Sequence, residues 1–437
     1  MKNKDERTYS VAIINLGCKV NKYEADSMKH KLSQAGFLIV ETDDVADIYI
    51  VNTCSVTNIA ERKSRQMLRR AKRRNPEAVV VATGCYVNAD HDNLVKEDYI
   101  DIVVGNNCKK NIVEIINEHL AVASGDVVHN SSDTEYIDIN KTKEYEEMGC
   151  LEGAYLDHKR AYIKVQDGCN QFCSYCIIPY TRGRVRSREK DSILKEIKRL
   201  ADDGVKEFVL TGIHVSSYGT DFEGDYDLAS LICDIADIDN VARIRLSSLE
   251  PRIITEDFLE RISKIDKLCP HFHLSLQSAC NETLKRMNRK YSIEEYMDKC
   301  ELIRKYYDRP ALTTDVIVGF PGESEKEFET TYANLEKIRF YEIHVFKYSP
   351  RRGTVASNME EQVPEDIKNE RSDRLLDLTA RQKQEYIDAL NGIEDEVLLE
   401  ETVEGDDNMY TGYSKRYVRV SIPFDKDMTN EIIGYTF

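Results

Sequence analysis

The chain has 437 residues, enough for two or three domains, and its 61 Lys or Arg against 78 Asp or Glu leave a formal charge of −17. No apolar run reaches membrane-spanning length and the opening MKNKDERTYS lacks an apolar signal core, so membrane and secreted classes are disfavoured and a soluble cytoplasmic protein is expected. Twelve cysteines without a secretion signal point to metal ligation rather than disulfides, because reducing compartments keep thiols free.

Three β-branched segments, SVAIIN (10–15), DIYIVN (47–52) and AVVVA (78–82), read as buried parallel strands with helices between them. Each runs into a cysteine: Cys18, Cys54 and Cys85. In an open α/β sheet the carboxyl ends of parallel strands line one crevice, so three distant thiols can converge there. Singly, each reads as a small buried hydrophobe. Together they point to a metal site, and three thiolates suit an iron–sulfur cluster with an open iron. Gly17 and Gly84 would let backbone approach such a cluster closely.

Residues 58–74 read as a helix with Asn58 as N-cap and Pro76 as the stop beyond it. One face is nearly all cationic, from Arg62 through Arg69, Arg70 and Arg73 to Arg74. Local field rather than total charge steers a polyanion, so Arg69, Arg70 and Arg73 are candidate RNA contacts. The alternative is a solvated cationic face.

A polar stretch, 125–159, reads as a linker between an N-terminal domain (8–124) and a central domain (160–375). Candidate strands at 161–165, 207–210, 243–246, 272–276, 312–318 and 342–346 alternate with helices and predict a partial (βα)6 parallel barrel. The first intervening helix follows the spacing of Ile193, Leu194, Ile197, Leu200 and Ala201, with Ser192 as cap and Gly204 as stop. Ahead of it lies DGCNQFCSYC, which spaces Cys169, Cys173 and Cys176 as C-x3-C-x2-C. Three such thiolates can hold three irons of a cubane and leave the fourth open for chemistry. Zinc would need a fourth protein ligand, and no Cys or His follows closely. This spacing, with Tyr175 just before the last Cys, is the signature of radical S-adenosylmethionine enzymes. Arg182, Arg184, Arg186 and Arg188 come next, a second basic run with Arg184 as a candidate RNA contact.

Barrels of this class carry their sites on loops at the carboxyl ends of strands. Gly212, Ser247, Glu250, Gln277 and Gly319 fall at those places, and with Tyr175 they form the candidate set for S-adenosyl-L-methionine. Singly, each loop is also ordinary turn chemistry. The C-terminal segment (376–437) carries short strands at 396–399, 416–422 and 431–435 and predicts a small β-barrel. Tyr410, Tyr413 and Tyr417 interleave with Lys415, Arg416 and Arg419, an arrangement that can stack bases while holding phosphates, so Arg416 is a candidate RNA contact. Eleven Asp or Glu against four Lys or Arg after Asn391 weigh against that role. Cys108, Cys150, Cys233, Cys269, Cys280 and Cys300 show no ligand pattern.

The strings NLGCKVNKYEAD, VNTCSVTNIAERKSRQ, ATGCYV, KVQDGCNQFCSYCIIPYTRGRVRSR, RLSSLEP, HLSLQSAC, LKRMNRKY and DVIVGFPGE resemble the methylthiotransferases, two-cluster radical S-adenosylmethionine enzymes, over essentially the whole chain. GCKVN and NTCSVT are most similar to the branch acting on N6-threonylcarbamoyladenosine of tRNA, where the isopentenyladenosine branch is richer in GCQMN-like forms. A third branch modifies an aspartate of a ribosomal protein. The resemblance implies one [4Fe-4S] cluster on Cys18, Cys54 and Cys85 and a radical-generating one on Cys169, Cys173 and Cys176. It also implies S-adenosyl-L-methionine, a tRNA anticodon loop as partner, a TRAM-like C-terminal module and an electron donor such as flavodoxin or ferredoxin. The non-enzymatic alternative, an iron–sulfur carrier or redox sensor, would not need the strand-end loops.

Overall fold

The computed structural model describes residues 8–123, 134–149, 151 and 160–437, apart from the side chain of Asp407. The N-terminal domain is a parallel sheet of β1 (Ser10–Asn15), β2 (Leu38–Val40), β3 (Ile48–Thr53), β4 (Val79–Gly84), β5 (Ile102–Val104) and β6 (Thr134–Glu135), ordered β2-β1-β3-β4-β5-β6. Helices α1 (Lys19–Gln34), α2 (Asn58–Arg74), α3 (Cys85–Leu94) and α4 (Ile112–Ala123) connect the strands. All six residues of β3 are buried, as a central strand covered on both faces requires. The three strands read from the sequence, β1, β3 and β4, are neighbours. The unread ones have three residues or fewer, too few to carry a periodic signal.

Helix α2 spans the expected residues, but Thr57 caps it, its hydroxyl accepting from the Ala60 amide at 3.1 Å. Asn58, the expected cap, reaches the next domain: its Nδ2 donates to the Pro350 carbonyl at 2.9 Å, and Arg351 donates to its Oδ1 at 2.5 Å. Arg351 also pairs with Glu61 one turn on. Residues 134–149, expected to be linker, are packed. Ile139, Glu146 and Met148 are buried there, Tyr145 donates to the Lys164 carbonyl at 2.9 Å, and Glu147 pairs with Arg188 at 2.8 Å. Most of the remaining expected linker lies outside the described residues.

The central domain begins with β7 (Arg160–Asp167) and a short antiparallel β8 (Arg186–Ser187), followed by β9 (Glu207–Gly212), β10 (Arg243–Leu246), β11 (His271–His273), β12 (Ala311–Val318) and β13 (Glu342–Lys347). Strands β7, β9 and β10 form one parallel run and β11, β12 and β13 another. The bridges Ile244–Leu268 and Leu249–Leu274 join them into the arc of a partial barrel. Helices α5 (Ile178–Thr181), α6 (Lys190–Asp202), α7 (Leu228–Ala236), α8 (Glu256–Ile262), α9 (Asn281–Arg286), α10 (Ile293–Tyr306) and α11 (Glu325–Ile338) lie between the strands. Both α10 and α11 open on capping boxes, Ser292 with Glu295 and Ser324 with Glu327. Helix α6 starts at Lys190, so Ser192 lies inside its first turn instead of capping it, and donates to Glu147 at 2.7 Å. Helix α12 (Glu365–Asp388) packs on β13 and runs through the boundary expected at 375.

The C-terminal element is an antiparallel sheet of β14 (Glu394–Val403), β15 (Asp406–Ser414), β16 (Arg419–Pro423) and β17 (Ile432–Thr436), ordered β16-β15-β14-β17. The sequence reading misses β15 because DDNMYTGYS is polar and lacks clean alternation. The sheet has a small core of Val397, Leu399, Tyr410, Val420 and Met428 and leans on the amino ends of the barrel strands. Arg243 donates to the Tyr413 carbonyl at 3.0 Å, and Arg245 to those of Lys415 at 3.0 Å and Ser414 at 3.2 Å.

At the end of β4, Gly84 has φ of +98°, and a Cβ there would lie 2.4 Å from the Thr53 carbonyl oxygen. Strain and overlap with backbone together predict that Gly84→Ala lowers stability by about 2 kcal/mol or more. Urea unfolding followed by circular dichroism measures this, and an unchanged midpoint would refute it.

Candidate active site

Cys18, Cys54 and Cys85 each follow one of the adjacent strands β1, β3 and β4, and the structure brings them together at one sheet edge. Gly17 makes the approach possible: a Cβ there would lie 2.9 Å from Cys54 Cβ and 3.0 Å from its Sγ. Cys18 stands at the N-cap of α1 and Cys85 is the first residue of α3. Helix amino termini favour a thiolate over a thiol. Burial pushes the Cys18 thiol up, with Arg182 pulling against it, and pushes Cys54 up to about 11. Without a positive ligand these thiols stay protonated. Bound iron supplies the positive charge that burial withholds.

The charge around this edge suits an anionic cluster. Arg182 is fully buried; its Nε donates to Cys85 Sγ at 3.2 Å, its other nitrogens to Glu24 at 2.7 Å and Asn21 at 2.6 Å, and it pairs with Asp167 at 3.2 Å. Lys164 bridges the same carboxylates, 2.8 Å from Glu24 and 2.7 Å from Asp167. Lys109 pairs with Glu24, and Arg186 lies 3.6 Å from Asp167. Burial alone would raise Glu24, yet Arg182, Lys109 and Lys164 hold it well below the carboxylate range. The balance is four cations (Lys109, Lys164, Arg182, Arg186) to two carboxylates (Glu24, Asp167), a surplus that anionic sulfur can use.

Asp167 ends β7, and the second cysteine set follows at once. Cys169, Cys173 and Cys176 lie within electrostatic reach of one another, and burial raises Cys169 to about 11 and Cys176 to about 12. The Gln171 amide donates to Cys169 Sγ at 3.4 Å and Arg289 to Cys173 Sγ at 3.3 Å. Tyr175 stands edge-on to Phe320, centroids 6.4 Å apart, at the side of this loop. Both sets therefore offer soft sulfur ligands with cationic donors behind them, the donor chemistry an iron–sulfur cluster requires.

The strand-end residues gather beside the second set. Ser247 follows β10 with its hydroxyl buried and without a hydrogen-bond partner among the described residues, so it can donate to a polar ligand group. Glu250 holds Arg252 at 2.8 Å, and Arg252 reaches Gln171 of the cysteine loop at 3.0 Å. Gln277 adopts φ of +76°, a strained conformation fixed by exchange with β12: its amide donates to Asp315 at 2.8 Å and its carbonyl accepts from Ile317 at 2.8 Å. The two glycines have packing reasons of their own. A Cβ at Gly212 would sit 2.9 Å from Gln166 Oε1, and one at Gly319, φ +69°, 2.3 Å from Lys368 Cγ. The reading of the sequence passes over Arg182 and Arg289 as site residues, and also Gln166, whose Oε1 accepts from the His214 amide at 2.7 Å. Burial lowers His214 to about 4, so its ring is neutral at pH 7.

The basic runs divide. On α2, Arg69, Arg70 and Arg73 are exposed, and Arg69 and Arg73 help line a groove of about 980 Å³; Arg69 stacks on Tyr99 and Arg70 pairs with Asp43 at 3.0 Å. Of the second run only Arg184 is exposed, its guanidinium 4.5 Å from the Phe172 ring centroid. Arg182, Arg186 and Arg188 are buried in ion pairs, so their charge is spent inside the protein. Arg416 is likewise turned inward, to Asp395 at 3.0 Å and the Arg309 carbonyl at 3.2 Å, and ties the C-terminal sheet to the barrel instead of presenting a free cation. Tyr417, stacked between Tyr413 and His271 with centroids at 4.7 and 4.9 Å, is equally unavailable to a base.

Comparison with known proteins matches residues 163–335 to the radical SAM superfamily and residues 10–105 to the uncharacterized protein family UPF0004. The threonylcarbamoyladenosine tRNA methylthiotransferase MtaB of Bacillus subtilis is 39% identical over 427 residues, 97% of this chain and 92% of that one. The enzyme of the same name from Aquifex aeolicus is 40% identical over 88% of this chain and 91% of its own. The chain belongs to the radical S-adenosylmethionine methylthiotransferases. A tRNA-2-methylthio-N(6)-dimethylallyladenosine synthase of Clostridium botulinum is 35% identical over 96% of this chain and 92% of that one. Among solved structures, the radical S-adenosylmethionine methyltransferase TsrM of Kitasatospora setae shares the fold at a TM-score of 0.57 and 16% identity, covering 80% of this chain and 74% of that one. The methylthiotransferase uses S-adenosyl-L-methionine and [4Fe-4S] clusters as cofactors.

In this methylthiotransferase, Glu24→Gln would leave Arg182, Lys164 and Lys109 without their shared carboxylate. Breaking a buried pair from one side costs about 3–5 kcal/mol, so a marked fall in melting temperature at pH 7 is expected. Glu24 is depressed in the folded state, so its contribution is full above the ordinary carboxylate range and fades as pH drops below about 4. In a pH series of thermal melts the gap between parent and variant should hold down to about pH 4 and narrow progressively below it, as pH falls toward the depressed range of Glu24; a gap that does not narrow below that pH would argue against the ionic origin.

Proposed function

We propose that this methylthiotransferase acts on N6-threonylcarbamoyladenosine in tRNA, next to the anticodon, replacing the hydrogen on C2 of the adenine with a methylthio group. The observation that carries the reading is the near full-length match, at 39% and 40% identity, to two relatives named for that substrate, against 35% to relatives named for dimethylallyladenosine. C2 of adenine has neither an acidic proton nor a leaving group, so acid–base chemistry alone cannot exchange its hydrogen for sulfur. The clusters and S-adenosyl-L-methionine, when bound, supply the one-electron chemistry and the methyl group that this exchange demands. Cys18, Cys54 and Cys85 would hold one cluster and Cys169, Cys173 and Cys176 the other.

The remaining residues bind and orient. Arg182 and Arg289 donate to Cys85 and Cys173 and offset their negative charge. The unpartnered hydroxyl of Ser247 and the neighbouring Glu250 would receive S-adenosyl-L-methionine, a reading that the buried, unbonded hydroxyl supports. Arg69, Arg70 and Arg73 on α2, with Arg184 at the cysteine loop, are the cations available for phosphates, and a single-stranded loop is the form in which an RNA base can be reached. The same reading gives the protein a cytoplasmic location and a flavodoxin or ferredoxin as electron donor; no described helix is long and apolar enough to cross a membrane.

Four measurements test this. Anaerobic reconstitution should give about eight irons per chain, and changing Cys169, Cys173 and Cys176 together to Ala about half of that; full retention would refute the assignment. The Cys18, Cys54, Cys85 triple Ala variant should still form 5′-deoxyadenosine but no methylthio product. Arg69, Arg70 and Arg73 changed to Glu should weaken tRNA binding at low salt and flatten its salt dependence by up to about 0.9 in log–log slope per lost phosphate contact. Mass-spectrometric nucleoside profiling of tRNA from a deletion strain checks the substrate, because survival of 2-methylthio-N6-threonylcarbamoyladenosine would make the reading wrong.

A further inference from the structure

One inner face of the barrel is left uncovered by the core. Register pairs Asp315 with His344 and Ile317 with Phe346 across β12 and β13, and His273 with Thr313 across β11 and β12. His344 and Phe346 are exposed and Asp315 and Ile317 partly so, whereas Val316, Val318 and Ile343, which alternate with them, are buried. His273 bonds Thr313 Oγ1 at 3.0 Å and Asp315 Oδ2 at 3.1 Å, and His344 stacks on it with centroids 5.6 Å apart. Ligand atoms of His273, Asp315 and His344 all fall within 4.8 Å of one another.

Lys19, next to Cys18 at the start of α1, lies within electrostatic range of this face. It is exposed and forms no hydrogen bond or ion pair among the described residues. The charged groups that act on it are Arg245, Arg160, Glu207 and Asp315, and it acts in turn on His271 and His344. Those residues stand on β10, β7, β9, β12, β11 and β13, and the place common to six strands is the barrel interior. Beneath, Glu207 is already claimed by Arg245 at 2.7 Å and Arg160 by Glu400 at 2.8 Å, and Tyr417 lies against His271, so the chamber is closed below. Lys19 is thus a free cation facing a hydrogen-bonding pair, with Ile317 and Phe346 one rung nearer the strand ends.

We propose that Lys19, Asp315 and His344 form the pocket for the threonylcarbamoyl group, the Lys19 ammonium pairing with its carboxylate and the other two facing its hydroxyl and urea. This rests on the substrate reading above and supplies its selectivity. A dimethylallyl group would leave Lys19 and His344 without a polar partner and Asp315 with His273 alone, and sites built for polar substituents reject analogues that lack them. Ile317 and Phe346 then flank the base.

The test is binding of fluorescent anticodon stem–loops to full-length, anaerobically reconstituted protein, read by anisotropy. The parent should prefer the threonylcarbamoyladenosine loop over the unmodified loop by about tenfold or more, as a charge-assisted contact provides. Lys19→Gln should lose most of that preference and Lys19→Arg should keep it, with iron content confirming that Cys18 still ligates. If Lys19→Gln loses iron, His344→Phe carries the test with the same expectation. A variant of normal iron content that keeps the parent's preference overturns the proposal. A preference that chelation removes and zinc restores would place a metal on His273, Asp315 and His344 and overturn direct contact. A parent that itself prefers the dimethylallyladenosine loop is a different result: it refutes the substrate reading, and this pocket with it.

Discussion

The carboxylate of Glu24, buried where α1 meets β7, holds the architecture of the site together. It accepts from Arg182 and Lys164 of the barrel domain and Lys109 of the N-terminal domain, and Arg182 carries the contact on to Cys85 and Asp167. Desolvating so many charges is expensive, and an apolar interface of the same size could be as stable. What an apolar interface could not do is leave unbalanced positive charge at the sulfur atoms. Glu146, the other buried carboxyl nearby, is pushed up by its burial, with Lys109 and Lys164 pulling against that rise. The interface that joins the domains therefore also sets the potential in which thiolates and clusters sit.

The two cysteine sets are held by different local devices under that common field. The first depends on sheet order, since β1, β3 and β4 are adjacent and glycines at 17 and 84 let the strand-end loops crowd together. The second depends on a single loop anchored from the far side of the barrel. Asn288 donates to the Phe172 carbonyl at 2.9 Å and the Ser174 amide to the Met287 carbonyl at 3.0 Å, so the segment after α9 pins the cysteine loop in place. Arg289, which touches Cys173, belongs to that same segment.

Much of this was legible before any coordinates. Period and β-branching located the central strands to within three residues, and the convergence of Cys18, Cys54 and Cys85 followed from strand ends alone. What stayed hidden was the direction of side chains in polar segments. Arg182, Arg184, Arg186 and Arg188 read as one basic run, yet three point into the protein and one out, because their partners Glu24, Asp167 and Glu196 lie up to 158 positions away. Arg416 misleads for the same reason, its partners being Asp395 and a carbonyl of another domain. The 134–149 segment looked like linker because its composition is polar, but Glu147 and Tyr145 spend that polarity on Arg188 and Lys164.

Arg351 holds Asn58 and Glu61 at the first turn of α2, and the segment it comes from continues β13. The helix is therefore phased against the barrel from its very start, and its cationic face lies at a set span from the cysteine loop. On the reading proposed above, a strand of RNA gripped along α2 would meet a ruler: the number of nucleotides between the gripped phosphates and the reacting base would be fixed by the protein. Position within the loop would then be chosen by length, and identity of the base separately, in the barrel.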